Sequence, residues 1–535
     1  MFPKGSLAIY NANIHSMDPR RPAADALVIY QGYIVAVGWW RQIKETIPDR
    51  LPHIDAAGAT VLPGLIDSHA HLAHSGLIAS SVDLTDIPSV VETLDRIQQA
   101  VAAAARGELI YCTQYDDGHV REKRYPTLQE LDLIAPANPL VIVHRTGHSS
   151  VLNSMALQRA AIPADTPGIQ RDAAGNPNGV LLAQANAAWR DTFEEAFTRQ
   201  IGYSELARRA ARQAAEAGIT TLHAMDDPPF IAEVLPLLEE LPVRVVFYPQ
   251  TRSVEEVEAL GLPRIGGCGA SGLDGDIGSQ MTAALTQPYL QDPTTSGCLY
   301  FSDEELTEMI FEAQSCGMQV SMHAVGDAAV AQALRAVEAV QQRLPQRPKR
   351  HRIEHWEVSN PPLTQKARRL GVMVSIQPPF NYFWPHDDGY PELLGVERSL
   401  LMDPIAELIA GGLLVAGGSD SPVTPLSPLL GIHAAVNHSN PSQRISPHQA
   451  LEMFTINGAE IAFEEHRKGS LTLDKLGDVT ILAEDPLSVP PGHIKDISVL
   501  CTIKGGEITY RHPDLPPPDQ RRDYGAAGDT SLAAP

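Results

Sequence analysis

Apolar and polar positions alternate between strand-like and helix-like patterns through the second half of the chain. The apolar run Met318–His323 is followed by an alanine-rich stretch, Asp327–Leu344, in which Val330, Leu334 and Val337 keep the spacing of one helix face. A strand followed by a helix of this length is typical of a right-handed crossover between two parallel strands. The pattern therefore predicts a sheet of parallel strands joined by helices.

The same alternation continues towards residue 420. The predicted order is strand Arg352–His355, helix Leu363–Leu370, strand Val372–Ile376, helix Pro404–Ala410 and strand Leu413–Asp420. Repetition of this unit predicts an α/β fold with a closed (β/α)8 barrel, in which reactive side chains lie at the carboxyl ends of the strands. Four candidate residues have such positions: His71, His323, His355 and Asp420.

The two ends of the chain have a different pattern, with short β-rich runs and tight turns. Leu27–Tyr30 and Ile34–Val37 are joined at Gln31-Gly32, which indicates a hairpin. Near the other end, Asp478–Leu482 and Ile497–Ile503 are again β-rich. We therefore expect strands from both ends to share one small β structure.

Residues 73–218 do not keep the strand–helix alternation. This region contains the strand-like Leu140–His144 and a loop-rich stretch with several Pro and Gly residues. We interpret it as early barrel elements that carry an insertion over the pocket. Residues 512–535 are rich in Pro, Asp, Gly and Ala with few apolar anchors, which predicts a flexible tail.

Length and composition exclude some classes of function. The 535 residues include 41 Lys and Arg against 64 Asp and Glu, a formal net charge of −23, which argues against binding to a nucleic-acid backbone. No apolar stretch approaches the roughly 20 residues that span a bilayer, and the first residues lack the apolar segment of a secretory signal. We therefore expect a cytoplasmic protein without a membrane partner. The five cysteines have no CxxC spacing, so neither a disulfide framework nor a thiolate zinc cage is predicted.

The candidate chemistry is that of a metal site. His69 and His71 end an apolar run, and side chains two positions apart on a strand point to the same face. Either one alone, like His323, is explained by a hydrogen-bonded core residue, and Asp420, which precedes Ser421-Pro422, is explained by a turn. Together at matching strand ends, the three imidazoles and the carboxylate predict a divalent-metal site that leaves a position for water. His355 ends the sixth strand of the predicted barrel and is a further candidate ligand.

Several motifs resemble those of a known family. They are VLPGLIDSHAHL at Val61–Leu72, MHAVGD at Met322–Asp327, IEH at Ile353–His355 and GGSDSPV at Gly417–Val423. In this order they resemble the amidohydrolase superfamily. Three intervening segments, Gly147–Leu157, Gly218–His223 and Asp274–Tyr289, resemble its amidohydrolase 3, or YtcJ-like, branch.

The resemblance implies a metal-dependent TIM barrel and a small β-sandwich built from both chain ends. The corresponding boundaries are residues 1–62 and 471–511 for the sandwich and residues 63–470 for the barrel, with the insertion at about 73–218. The resemblance also implies a divalent ion, with zinc as the expected metal, and a small-molecule substrate. It leaves open whether the chain forms a homo-oligomer.

One departure from the family pattern concerns the number of ions. Where members of this branch resemble VKLFADG, this chain has GASGLDG, so that Ala270 stands in place of the lysine that bridges two ions in binuclear members. No lysine occurs between Lys123 and Lys349. We therefore expect one tightly held ion, with His355 as a weaker ligand or a group that polarises the substrate oxygen. Cys268 is an alternative bridge, but a buried core thiol is the favoured interpretation.

The predicted reaction is hydrolysis of a C–N bond in an amide, carbamate, urea or cyclic amide. A divalent ion brings the pKa of its bound water to about 7 and supplies hydroxide near neutral pH. Asp420 is then the general base and acid, and His355 stabilises the developing oxyanion.

Two alternative functions remain open. Deaminases of this superfamily resemble HxxE at the fifth strand, whereas the third residue after His323 is Gly326, and we expect Asp327 to cap the following helix. The other alternative is a non-catalytic scaffold with this fold.

The substrate pocket is predicted from weaker signals. His148 lies in a segment with family resemblance, and His223 ends a strand-like run, so that either one lines the pocket or has a structural role. Gln377–His386 follows a barrel strand and concentrates aromatic residues in a predicted loop, with Phe380 and Trp384 as candidate pocket residues. Apolar walls of this kind favour an aromatic or hydrophobic substrate.

Overall fold

The computed structural model describes residues 3–20, 23–48, 50–145, 149–269, 272–278, 281–345, 350–358, 360–387 and 389–518. The chain divides into two compact units. The first unit is formed by Met1–His71 with Ala211–Pro535, and the second by Leu72–Ala210. The first unit contains the strands that carry the candidate metal ligands.

Parallel strands form two sheets in the described part of the first unit. The three-stranded sheet has the order Arg244–Pro249, Ile219–Asp226, Leu65–Ala70, and the five-stranded sheet has the order Arg264–Gly267, Gln319–Ala324, Arg352–His355, Met373–Ile376, Val415–Gly417. Every pairing within these two sheets is parallel. Ala70 and Ser421 form a further parallel bridge, so that the first and the last of these strands in chain order are also neighbours.

Helices follow the parallel strands and cover them. Val320 and Ile353 from the strands lie in one buried cluster with Leu306, Val330 and Val337 from the helices, because strands of a parallel sheet are apolar on both faces. The helices of the first unit are Trp40–Ile43, Pro228–Val234, Val254–Ala259, Asp303–Ser315, Asp327–Arg343, Pro361–Leu370, Pro378–Phe383, Tyr390–Leu394, Val396–Ser399, Ile405–Ala410, Pro428–Val436, Pro447–Met453 and Ile456–Glu460. The predicted α/β alternation of this half is therefore present.

The role predicted for Asp327 is wrong. Asp327 is the first residue of its helix, the cap position is Gly326, and no side chain caps this end. The Asp327 carboxylate instead accepts hydrogen bonds from the backbone N–H of Thr286 at 2.8 Å and from Nδ2 of Asn360 at 3.3 Å. It therefore holds two neighbouring loops rather than the helix end.

Strands from both chain ends form two further sheets. The four-stranded sheet has the order Tyr33–Gly38, Ala26–Tyr30, Leu7–Tyr10, His53–Asp55, and the six-stranded sheet has the order Glu507–Arg511, Val499–Lys504, Val479–Leu482, Thr60–Pro63, Asn13–His15, Ala23–Ala24. Ile9, Ile29, Val61, Ile481 and Ile503 belong to one buried cluster. The two sheets, and with them the two ends of the chain, thus share one apolar core.

Two details of the terminal strands concern earlier predictions. The hairpin at Gln31-Gly32 is confirmed, since Tyr30 pairs with Tyr33 across it and both turn residues have positive φ, as a tight hairpin of this type requires. Residues 512–515 do not belong to a flexible tail as predicted, because Leu515 is only 3% exposed and packs in the shared core. Residues 519–535 lie outside the described part of the chain.

The second unit has a sheet of its own. Its six strands have the order Ile169–Arg171, Pro177–Leu182, Ser149–Leu152, Leu140–His144, Ile110–Tyr115, Val82–Asp83. Its helices are Leu72–Ser80, Val90–Ala103, Leu128–Ile134, Ser154–Ala160 and Ala183–Ile201, and Tyr203–Glu216 leads into the first unit. Leu140–His144 therefore pairs within this sheet. The interpretation of this segment as an early barrel strand is wrong. The second parallel strand of the first unit is Ile219–Asp226.

Over the residues described by the structure, no helix combines the length and the apolar character needed to cross a membrane.

Candidate metal centre

The first parallel strand presents two imidazoles. His69 is completely buried and His71 is partly buried at the end of this strand. Nδ1 of His69 is 2.7 Å from Oε2 of Glu354, and Nδ1 of His71 is 2.8 Å from the carbonyl oxygen of Met225. Each acceptor fixes its ring, so that Nε2 is left to face the site, as is usual for metal-binding histidines.

Asp420 meets both of these rings. Its Oδ1 atom lies 3.2 Å from Nε2 of His69 and 3.0 Å from Nε2 of His71. Its backbone N–H donates to the carbonyl oxygen of His69 at 2.7 Å, which holds the end of the eighth strand against the first. The structure therefore brings these three predicted ligands together in one group that has the dimensions of a metal site.

His323 and His355 lie beside each other on the fifth and sixth strands, with ring centroids 4.5 Å apart. The His355 ring is also 4.9 Å from that of His69. Between these imidazoles lies the thiol of Cys268, one residue beyond the fourth strand. Its Sγ atom is 3.4 Å from Nε2 of His69, 3.5 Å from Nδ1 of His323 and 3.5 Å from Nε2 of His355. The favoured interpretation of Cys268 as a core thiol is thus replaced, because its Sγ atom contacts three imidazoles.

The charges of the site support one another. Burial raises the pKa of Asp420, but His69 and His71 outweigh it and hold this pKa well below its usual range. Burial lowers the pKa of His71 and of His323, but Asp420 raises the first and Cys268 the second, each to about 10. Burial also raises the pKa of the Cys268 thiol, but His69 and His323 bring it well below its usual value. The Asp420 carboxylate and the Cys268 thiolate thus favour positive charge between them.

This donor set fits a divalent ion. Imidazole nitrogen, carboxylate oxygen and thiolate sulfur are the ligands that zinc and similar ions take in proteins. A bound divalent ion would supply the positive charge that these buried anions favour, with the imidazoles neutral. Nδ1 of His69 contacts Glu354, and Nδ1 of His71 contacts the Met225 carbonyl. These contacts fix the orientation of the two rings, as metal-binding histidines require.

The predicted pocket residues have different positions. Phe380 is buried and its ring is stacked on that of His355, with centroids 6.0 Å apart and planes within 10°. Trp384 is 43% exposed and makes an edge contact with Phe380. These aromatics lie on and beside the helix Pro378–Phe383, which corrects the predicted loop.

His223 lies in a buried polar network. Its Nδ1 atom is 3.2 Å from Nη1 of Arg352, whose Nη2 donates to the carbonyl oxygen of Ser68 at 2.6 Å and to Glu354 at 2.7 Å. Burial is the main cause that lowers the pKa of His223 well below its usual value, so the ring is neutral. The structure thus connects His223 to the support of His69. His148 and Ala270 lie outside the described residues.

Sequence reasoning missed three residues of the site. Glu354 contacts Nδ1 of His69 and accepts a hydrogen bond from Arg352. Gln250 donates from Nε2 to the Met225 carbonyl, which also contacts His71. The IEH motif contains the glutamate, and its place beside His355 is the signal that could have found it.

Imidazoles and a carboxylate at the carboxyl ends of parallel strands are typical of metal-dependent α/β hydrolases. The sequence model of the amidohydrolase family, Amidohydro_3, matches residues 53–510, and the chain belongs to this family. The prediction of the amidohydrolase 3, YtcJ-like branch is confirmed.

Relatives and solved structures agree with this assignment. The chain is 27% identical over 530 residues to YtcJ of Bacillus subtilis (strain 168), which covers 93% of this chain and 98% of that protein. It is 26% identical over 555 residues to N-substituted formamide deformylase of Arthrobacter pascens, which covers 94% and 98%. The crystal structure of an uncharacterised metal-dependent hydrolase from Pyrococcus furiosus is similar with a TM-score of 0.74 and 26% identity, covering 90% of this chain and 100% of that one. Family and donor set together support a hydrolase that uses a divalent metal ion.

Proposed function

We propose that this protein hydrolyses a C–N bond in a small molecule, namely an amide, carbamate, urea or cyclic amide. The observation that carries the proposal is the position of Asp420 Oδ1, 3.2 Å from Nε2 of His69 and 3.0 Å from Nε2 of His71. A carboxylate whose oxygen lies close to the Nε2 atoms of two oriented imidazoles can bind a divalent ion together with them. It can also exchange protons with a water molecule at the ion.

Each residue of the site has its own role in the proposed reaction. A bound divalent ion supplies Lewis acidity, which activates water and polarises a carbonyl. His69 and His71 would hold the ion through Nε2, because Glu354 and the Met225 carbonyl occupy the opposite ring nitrogens. The Asp420 carboxylate takes a proton from the attacking water and returns it to the leaving nitrogen. His355 faces the substrate oxygen and stabilises its developing charge.

Two observations support the class of substrate. The deformylase of Arthrobacter pascens, named for N-substituted formamides, is similar over nearly the whole chain. Phe380 stacks on His355, and Trp384 lies at the edge of Phe380 with nearly half its surface exposed. An apolar aromatic wall beside a few polar groups is typical of a pocket for an aromatic or hydrophobic substituent. We therefore propose an N-substituted amide or formamide whose substituent is apolar.

The site disfavours a deaminase. Single-metal deaminases of this superfamily resemble HxxE at the fifth strand, whereas Gly326 is the third residue after His323. A Cβ at Gly326 would lie 1.9 Å from the carbonyl oxygen of Ala284, and the Gly326 N–H donates to Asp274 at 2.9 Å. No longer side chain fits this position without moving the loop of Ala284.

The architecture of the family is also a proposal. We propose that the eight parallel strands close into a barrel, supported by the Ala70–Ser421 bridge between the first and last strands. The two terminal sheets then form a β-sandwich around their shared core. The proposed boundaries are residues 1–62 and 471–515 for the sandwich, which extends the predicted end at 511 to include Leu515. The barrel is residues 63–470, with the insertion at about 73–218.

The test combines metal analysis, one substitution and a substrate panel. The purified, zinc-loaded protein is assayed on N-substituted formamides, N-acyl amino acids, carbamates and cyclic imides. Asp420→Asn keeps the size of the side chain and removes the base, so we expect turnover to fall by at least about 100-fold. Asp95→Asn, on the exposed face of the helix Val90–Ala103, serves as the control with unchanged turnover. An Asp420→Asn variant that works at the full rate, or a loaded protein that cleaves no member of the panel, contradicts the proposal.

A further inference from the structure

Cys268 lies between two groups of candidate ligands. One group contains His69 and Asp420, and the other contains His323 and His355. The Sγ atom of Cys268 is within 3.5 Å of a ring nitrogen in each group. The thiol therefore contacts both groups at once.

These separations have the size of edges in a metal coordination shell. In a tetrahedral zinc site, a nitrogen at about 2.0 Å and a sulfur at about 2.3 Å from the ion are about 3.5 Å apart. The three Sγ to nitrogen distances of 3.4, 3.5 and 3.5 Å are close to this value. The thiol is thus placed to share an ion with the imidazole on either side.

The backbone explains how so short a side chain reaches the centre. Gly266 and Gly267 both have φ of 106°, a conformation that other residues rarely adopt. A Cβ at Gly266 would lie 2.0 Å from the carbonyl oxygen of Ser321, and one at Gly267 would lie 2.7 Å from Sδ of Met225. The end of the fourth strand therefore packs tightly on its neighbours and carries Cys268 inward.

We propose that the thiolate of Cys268 is a ligand shared by two divalent ions. The ligands on its two sides are His69, His71 and Asp420 for one ion, and His323 and His355 for the other. His355 is then a metal ligand, and this role replaces the one at the substrate oxygen. The proposal rests on the proposed metal-dependent function, and it revises the expectation of one ion that followed from the missing lysine. A cysteine at the end of the fourth strand takes the place of a bridging lysine, and the sequence has no lysine between Lys123 and Lys349. Sulfur also selects for zinc over magnesium or manganese.

The test measures metal ligation directly and does not depend on turnover. The full chain is loaded with Zn²⁺ for X-ray absorption and with Co²⁺ for near-ultraviolet spectroscopy. We expect sulfur at about 2.3 Å from zinc, a thiolate-to-cobalt charge-transfer band, and two ions per chain. Cys268→Ser should lose the band and bind about half as much metal, because a serine hydroxyl is a poor ligand for these ions. Cys316→Ser, which removes an exposed thiol, should keep the band and the full metal content.

The outcomes separate this proposal from the proposed function. Ions bound without sulfur at about 2.3 Å, or a Cys268→Ser chain with unchanged metal content and spectrum, overturn the shared thiolate and leave the hydrolase proposal intact. One ion with sulfur bound makes Cys268 a terminal ligand and overturns the two-ion centre. A wild-type chain that binds no ion overturns both proposals. If Cys268→Ser fails to fold, absorption and cobalt spectra of the wild-type chain decide alone.

Discussion

Oε2 of Glu354 accepts a hydrogen bond from Nδ1 of His69 at 2.7 Å, and both side chains are completely buried. The same carboxylate accepts from Nη2 of Arg352 at 2.7 Å. Burial raises the pKa of Glu354, but Arg352 and His69 outweigh it and hold this pKa well below its usual range. Glu354 is therefore an anion that fixes the His69 ring while a buried cation fixes Glu354.

Glu354→Gln tests this support. The amide still accepts a hydrogen bond from His69 but leaves Arg352 buried without its anion. We expect zinc affinity to fall by about 10- to 100-fold and the free energy of unfolding to fall by about 3–5 kcal/mol. Competitive chelator titration and denaturant unfolding measure the two effects.

The control is Glu308→Gln, which breaks the exposed Arg343–Glu308 ion pair. Exposed pairs of this kind contribute about 0–1 kcal/mol, so stability and zinc affinity should hardly change. Equal zinc affinity in Glu354→Gln and in the wild-type chain contradicts the role given to Glu354.

Gly418→Ala tests the contact between the first and eighth strands. A Cβ at Gly418 would lie 2.7 Å from the backbone nitrogen and 2.9 Å from Cβ of His69. The two strands must then move apart, so we expect lower zinc affinity together with a loss of about 1–3 kcal/mol in stability. Gly492→Ala is the matched control, because its Cβ would point into open space. A Gly418→Ala chain with the zinc affinity of the control shows that the strand contact does not position His69.

The sequence predicted the candidate ligands that lie at the ends of regular strands. The apolar run before His69 predicts an extended strand. In such a strand His69 and His71, two positions apart, have side chains on the same face. His323 and His355 end strands whose following helices are also periodic. These positions depend on local pattern alone, and the structure brings all four rings within contact of a neighbour in the set.

The sequence could not place residues that depend on long-range packing. Cys268 follows two glycines with positive φ, and no hydrophobic period reveals how close such a backbone comes to its neighbours. Arg352 and Glu354 look like ordinary charged residues, which are rarely buried unless paired, and their pairing involves His69 and Ser68 about 285 positions earlier. The separate sheet of the second unit was missed for the same reason, because strand partners are set by tertiary contacts.

Removal of metal should lower the melting temperature of the first unit. A ligand that binds only the folded chain stabilises it by about 2.7 kcal/mol at 100 times its dissociation constant. We expect chelator treatment to lower the transition and added Zn²⁺ to restore it. Asp420→Asn should reduce this zinc-dependent shift, whereas Asp95→Asn should retain it in full. A melting temperature that changes with neither chelator nor Zn²⁺ contradicts the metal centre.

Trp384→Ala should weaken binding of substrates with an aromatic substituent. Trp384 is 43% exposed and contacts Phe380 edge-on, so its removal costs little folding energy. Aromatic contacts contribute about 0.5–1.5 kcal/mol, which corresponds to a rise of KM by up to about tenfold with a smaller change of kcat. Trp39→Ala is the control, since Trp39 is 47% exposed and lies in the terminal β region. A KM that is unchanged for aromatic and aliphatic substrates alike removes Trp384 from the pocket.

Asp403 should make the free energy of unfolding depend on pH. Burial raises its pKa from 3.8 to about 7, so the folded chain holds a proton there that the unfolded chain has lost. This contribution to stability is complete below the unfolded pKa and is lost as the pH rises towards the folded pKa, by up to about 1.4 kcal/mol per pH unit. Asp403→Asn has no such proton. We therefore expect its free energy of unfolding, relative to the wild-type chain, to increase between pH 5 and about 7. A difference for Asp403→Asn that does not change over this pH range contradicts the raised pKa.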